Sequence, residues 1–359
     1  MGGVLAFLAL GGAIGVIALL VKTFQRYEQA WSDAVLATAR ALDIQYQPKT
    51  FWKRALASGT RDGVDLTVDC YTVSTGKSST TYTRIVALAG IPSDLVLKAE
   101  GLGASIVKVF KGDDLEVGDP HFDARAVVRG SPRLLRALLD RPTRDLVLQA
   151  LDLGIVVEDG KVKFNKAGLI RDADRLVHLA QVVADLAQAL RPRDARGRLE
   201  HIALHDPMPQ VAIEAFRERM AGWPAGDFVQ TALRHPLPVI RLEAARALGP
   251  AGVAVVEALL DDRDVPDDLQ LEALELLLRL DPDQGVRRAE ARLQGQAPPE
   301  RVAATLALLA DAGRCPTIDR VKHVLRRNAR ISMLAARCLA HADPHPEVEP
   351  ALMLLLLEG

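Results

Sequence analysis

A chain of 359 residues has room for two or three domains with sizeable cores. Hydrophobic residues make up 49 % and charged residues 25 %, which excludes a disordered chain; 45 basic against 46 acidic residues leave a net charge of −1, which argues against a global field for nucleic acid or a membrane surface. Aromatic residues are only 4 %, which leans toward helix-on-helix packing, and the three scattered cysteines (Cys70, Cys315, Cys338) fit a reducing compartment better than a disulfide framework.

Residues 1–21 carry no charged side chain, and the apolar run Val4–Val21 would extend about 27 Å as a helix, close to the thickness of a hydrocarbon core. A cleaved signal peptide would need a basic start and a small-residue cleavage site, and Met-Gly-Gly at one end and Lys22-Thr23-Phe24-Gln25-Arg26 at the other supply neither. The expectation is an uncleaved transmembrane helix over 1–21. Basic residues gather after it (Lys22, Arg26, Arg40, Lys49, Lys53, Arg54), so the positive-inside rule puts the remaining domains in the cytosol and the chain in the cytoplasmic (inner) membrane. Gly11 and Gly15 form a GxxxG pair that could let two spans pack closely as a homodimer, although glycines are common in transmembrane helices in any case. Residues 22–44 continue as an amphipathic connecting helix, with Trp31, Val35 and Leu42 near helical spacing and Trp31 expected to pack on the domain that follows.

A mixed α+β domain is expected over 45–190. The alternation of Val64, Leu66, Val68 and Cys70 marks a strand, and a second run at 80–89 completes an antiparallel hairpin. Its tip, Gly76-Lys77-Ser78, copies the end of a P-loop, but the required first glycine is Tyr71 and the setting is strand–turn–strand, so nucleotide binding is not expected there. Further strands are expected at 95–100, 105–110 and 124–129. Ser131-Pro132 opens one helix and a second follows at 142–152; Asp159-Gly160 forms the type I′ turn of another hairpin, and a long helix runs over 171–190.

Within this domain "VGDPHFDARAVVRG" places Asp119, His121 and Asp123 at alternate positions. On a strand they would share one face and offer two carboxylates and an imidazole to a metal ion. The competing explanation is structural: Gly118-Asp119-Pro120 as a turn, Phe122 as a core anchor, and Asp123 capping backbone N–H groups. The stretch resembles the Gly-Asp-Pro-x-Phe-Asp signature of an uncharacterised bacterial family of membrane-anchored proteins, at Gly118, Asp119, Pro120, Phe122, Asp123, Val128 and Gly130. That resemblance implies no activity.

From 194 to 359 the chain repeats itself. Ala215, Ala244, Ala273, Ala303 and Ala335 recur at steps of 29, 29, 30 and 32 residues, each in a helical stretch followed by a second one. In one unit Ile240, Ala244, Ala247 and Leu248 fall on a single face, Pro236 and Pro238 open the helix and Gly-Pro-Ala-Gly ends it. A lone unit cannot bury such a stripe, so an α-solenoid is expected. "HPLPVIRLEAARALG" resembles the short HEAT-like repeats first noted in phycobilisome bilin lyases; the resemblance implies the fold and not lyase activity, since no lyase-specific residue matches. His201 and His205 lie one helical turn apart without a third ligand, and Lys322, Arg326, Arg327 and Arg330 gather on one helix.

The expected whole is a single-pass α+β protein that serves as a membrane-anchored protein-interaction scaffold or adaptor. Its partners would be an unidentified protein on the array and the lipid bilayer at the N-terminal helix, with no nucleic acid and no cofactor. The alternative is a ligand- or metal-binding sensor or enzyme with its site at Asp119, His121 and Asp123.

Overall fold

The computed structural model describes residues 22–350 except 24, 77, 101–113, 295–296, 325–328, 343–347 and 349. The expected span Val4–Val21, with Gly11 and Gly15, lies outside the described residues, as do the expected strand over 105–110 and Arg326 and Arg327. No helix among the described residues is long and apolar enough to cross a membrane. The chain divides into two compact units, Met1–Gly222 and Trp223–Gly359.

The first unit is built on one antiparallel sheet in the order β1-β2-β3-β4-β8-β7-β5-β6. A helix α1 over 25–42 enters it. Trp31 and Val35 on this helix are fully buried, and the Trp31 indole N–H donates to the Ala55 carbonyl at 3.1 Å. Four strands then form a meander: β1 (Gln45–Gln47), β2 (Leu56–Arg61), β3 (Val64–Ser74) and β4 (Ser79–Leu88). The β3–β4 hairpin is closed from Asp65↔Leu88 to Ser74↔Ser79, and Gly76 and Ser78 lie in the connection between these strands, as expected. β1 and β2 were not expected; Leu56–Arg61 reads LASGTR, too polar to alternate.

Strand β5 (Val96–Ala99) is followed by a helical turn α2 (Pro120–Asp123), strand β6 (Ala126–Arg129), helices α3 (Pro132–Leu138) and α4 (Arg141–Asp152), the hairpin β7 (Ile155–Glu158) and β8 (Lys161–Ala167), and helix α5 (Ala173–Ala189). The β7–β8 turn places Asp159 and Gly160 at φ 53° and 71°, the left-handed pair that a type I′ turn demands. Alternation sets one buried sheet face, with Leu66, Val68, Ile85, Ala87, Val157 and Val162 beneath α4 and α5; α5 lies on β3, β4 and β8, and α4 on β5 and β7.

Two further helices, α6 (Ala195–His205) and α7 (Pro209–Gly222), pack on each other and on α3. The boundary expected at 190–194 thus differs from the structural division after Gly222. The reason is a set of charged bonds that join this hairpin to the sheet unit. Arg198 donates to the carbonyls of Ala137 and Leu138 at 2.8 and 2.9 Å, and Arg136 pairs with Glu214 and Glu218 at 3.1 and 2.5 Å.

The second unit is helical among its described residues: α8 (Gly226–Ala232), α9 (Pro238–Leu248), α10 (Val253–Asp261), α11 (Asp267–Leu280), α12 (Pro282–Arg292), α13 (Pro299–Asp311), α14 (Ile318–Val324) and α15 (Ala329–Leu339). Each helix packs on its chain neighbour from α8 to α13, and α14 packs on α15. In addition α9 meets α11, α11 meets α13 and α13 meets α15. The alanines of the repeating pattern make this possible: Ala244, Ala273 and Ala335 are fully buried. Backbones come close where side chains vanish. A Cβ on Gly285 of α12 would stand 2.7 Å from the Leu278 Cα of α11.

Candidate functional site

The Asp119–Asp123 stretch does not lie on a strand. Pro120–Asp123 forms a helical turn and the strand begins only at Ala126. The cause is local capping, which here outweighs alternation. Asp119 Oδ1 accepts the His121 and Phe122 backbone N–H groups at 3.1 and 3.3 Å, and Pro120 occupies the first helical position, where a missing N–H costs nothing. The three side chains therefore diverge. His121 is exposed, with Nε2 3.5 Å from the Arg125 guanidinium, whereas the Asp123 carboxylate turns inward and accepts the N–H groups of Val117 and Gly118 at 3.0 and 2.9 Å. Among the described residues no group of three His, Cys, Asp or Glu side chains is placed to hold a metal ion.

The second carboxylate oxygen of Asp119 points to a residue that sequence reasoning missed. Arg144 of α4 is 1 % exposed, and its Nε donates to Asp119 Oδ2 at 2.9 Å. Its two terminal nitrogens donate to both oxygens of Asp206 at 2.9 and 3.1 Å, and Nη1 also reaches the Leu139 carbonyl at 2.9 Å. Burial pulls this guanidinium down, but the bonds and charges of Asp206 and Asp119 outweigh it and hold its pKa above the usual value. The cation is locked on. Asp206 ends α6, and its Oδ1 also accepts the Met208 N–H at 3.0 Å. Arg144 thus clasps three places far apart in sequence: the Asp119 turn, the end of α3 and the α6–α7 loop.

Gly118 completes the clasp. It stands at φ 97°, a conformation costly for any side chain, and a Cβ there would lie 2.7 Å from the Gln210 Cγ of α7. Phe122 and Val128 are buried, and Gly130 at φ 137° turns the chain from β6 into α3. Each fixed position of the Gly-Asp-Pro-x-Phe-Asp stretch has a structural task, and both carboxylates are engaged by protein groups.

In the second unit a groove of 920 Å³ opens between the α10–α11 connection, α12 and the start of α13. Charges line it. Arg288 clamps Asp261 at 2.5 and 3.0 Å, and Arg301 reaches Asp267 at 2.5 Å. Arg292 donates to the Gln270 side chain at 2.7 Å; burial holds its guanidinium below the usual range, opposed by the charge of Asp267. Arg263 on the rim is exposed and makes no ion pair among the described residues.

The remaining candidates resolve simply. His201 and His205 lie on the exposed side of α6 with ring centres 4.9 Å apart and their planes tilted by 51°. His235 Nδ1 accepts the Leu237 N–H at 3.1 Å just before α9. Cys338 is buried and donates to the Leu306 carbonyl; burial pushes its thiol up to about 12, and that of Cys315 up to about 11. Such thiols are poor nucleophiles. Comparison of the whole chain with protein-family models, curated proteins and solved structures finds no match.

Proposed function

We propose that the protein is a membrane-anchored interaction scaffold: the segment Val4–Val21 spans the inner membrane with the folded domains on the cytosolic side, and a HEAT-like α-solenoid binds a protein partner. The observation that carries this function is the stacking order of the second unit. First helices of successive pairs (α9, α11, α13, α15) touch one another in chain order, and α9 and α11 each have the following helix, α10 and α12, packed beside them. Repeats that contact only their neighbours form elongated surfaces suited to shape and charge complementarity. The groove beside α12 supplies the charge. It carries alternating arginines and aspartates that already hold one another in place, and Arg263, exposed and without an ion pair among the described residues, would meet a carboxylate of the partner. Support for the anchor comes from the uncharged segment and the basic residues after it.

The test places a photo-crosslinking amino acid at position 264, exposed beside Arg263 on the rim of the groove, in the full chain in its native membranes. One protein should be captured there, and it should co-purify with the wild type after detergent extraction and be lost in Arg263→Glu. Fractionation should leave the chain in the membrane pellet after an alkaline wash. Random labelling unaffected by the charge reversal sinks the scaffold, and release by the wash sinks the anchor.

A further inference from the structure

We propose that the loop at 49–53 is a second membrane contact, an aromatic wedge that enters the headgroup region of a bilayer containing anionic phospholipid. This rests on the anchor described above and adds to it a folded surface that lies on the lipid.

The loop is a built turn. The Thr50 N–H donates to the Lys53 carbonyl at 2.7 Å, and the Lys53 N–H donates back to the Thr50 hydroxyl at 3.1 Å. The two residues enclosed by these bonds, Phe51 and Trp52, are 90 % and 88 % exposed, and their rings meet edge to face at 4.8 Å. Two large adjacent rings in water forfeit the burial that elsewhere in this chain hides Trp31 and Phe122 completely, and such a patch marks a surface that meets another phase or partner.

Position identifies the occupant. Ala55 is tied to Trp31 of α1, and Arg54 to Glu28 one turn earlier, at 3.0 Å. Followed backward, the loop therefore runs along α1 toward its N-terminal end, the end that continues into the uncharged segment. On the same end Arg171 lies over the Tyr27 ring at 4.0 Å. Charge agrees. Arg54 is neutralised by Glu28, but Lys22, Arg26, Lys49 and Lys53 are exposed, and residues 22–26 and 48–53 contain no acid. The chain as a whole is nearly neutral, so this cluster is a local positive field. Tryptophan favours the headgroup depth because its ring is apolar at one edge and donates a hydrogen bond at another. Lysines beside it reach lipid phosphates, each contributing about a fivefold gain in partitioning to an anionic surface. Beside Trp52 lies a cavity of 520 Å³ walled by Lys53, Arg54, Asp69, Tyr71 and Thr72, in which the one acid, Asp69, is paired with Arg84 at 2.5 Å.

The full chain is reconstituted in vesicles of phosphatidylcholine alone or mixed with phosphatidylglycerol, each carrying lipid brominated near the top of the acyl chain. The wild type has three tryptophans, and the signal read is the difference between it and Trp52→Phe. Both should float with the vesicles. Bromolipid should quench the wild type and lose most of that quenching in Trp52→Phe, and the difference should grow with phosphatidylglycerol and shrink in Lys49→Gln/Lys53→Gln. All these positions are exposed, and circular dichroism checks that the variants are folded. Protein that floats with equal quenching in wild type and Trp52→Phe overturns the wedge while leaving the anchor intact. Quenching that ignores both phosphatidylglycerol and the lysines overturns the anionic preference. Protein that fails to float overturns the anchor and the wedge together.

Discussion

Replacing Arg144 with methionine keeps most of the side chain's volume and removes the charge at the centre of the clasp. Asp206, whose side chain is 2 % exposed, then stays buried with no cation, and Asp119 loses the partner of its second oxygen. Removing one member of a buried pair costs about 3–5 kcal/mol, because the surviving charge is stranded away from water. The lower figure corresponds to roughly a 160-fold shift in the local opening equilibrium. The assay is native-state hydrogen exchange on the full chain, read on peptides from α6, α7 and the Asp119 turn. Amides there should exchange about two orders of magnitude faster in Arg144→Met, while those of α11 stay near wild type. Adding Asp206→Leu should restore much of the protection, since a buried pair replaced as a whole by apolar groups is often neutral. An acceleration below about fivefold, or a double variant worse than the single one, would refute the clasp as the link between α6–α7 and the sheet.

Asp123→Asn should lower stability by about 1–2 kcal/mol, because one amide oxygen replaces a carboxylate that accepts two backbone N–H groups; thermal unfolding checks this, and added divalent metal should shift neither midpoint. Gly285→Ala adds roughly 1 kcal/mol of helix propensity, yet its methyl would meet the α11 backbone, so the net effect should be a destabilisation of about 1–2 kcal/mol in denaturant titration. The Cys338 thiol, raised by burial to about 12, stays protonated in the folded chain while the unfolded thiol ionises near 9. The folded state then binds more protons, so stability falls as pH rises from 9 toward 12, with a limiting slope of about 1.4 kcal/mol per pH unit. Cys338→Ala should flatten that part of the pH–stability curve relative to wild type.

The parts of the fold visible in the sequence are those where local pattern and tertiary packing agree. Val64, Leu66 and Val68 alternate because one sheet face is covered by α5, and Asp159-Gly160 marks its hairpin because few other pairs accept two positive φ values. The spacing of Leu176, Leu179 and Val183 likewise matches the buried side of α5. Strands β1 and β2 are hidden because their residues are polar and their pairing partners, not their composition, make them strands. At Asp119 two local signals competed, the alternate spacing of a strand and the Asp-Pro start of a helical turn, and the cap won. Arg144 was illegible for a different reason. Its partners stand 25 and 62 residues away, and a single arginine in a helix that begins Arg-Pro-Thr-Arg carries no mark of burial.

Among the described residues the sheet is blunt at both margins. β1 is only three residues long, and at the other border the Leu115 N–H donates to the Val128 carbonyl of the four-residue β6, occupying an acceptor that would otherwise face outward. Long unpaired borders invite a second copy to add its own strand, a hazard that rises when molecules crowd together on a two-dimensional surface. Blunt margins of this kind leave a second copy no long row of open backbone groups on which to lay a strand.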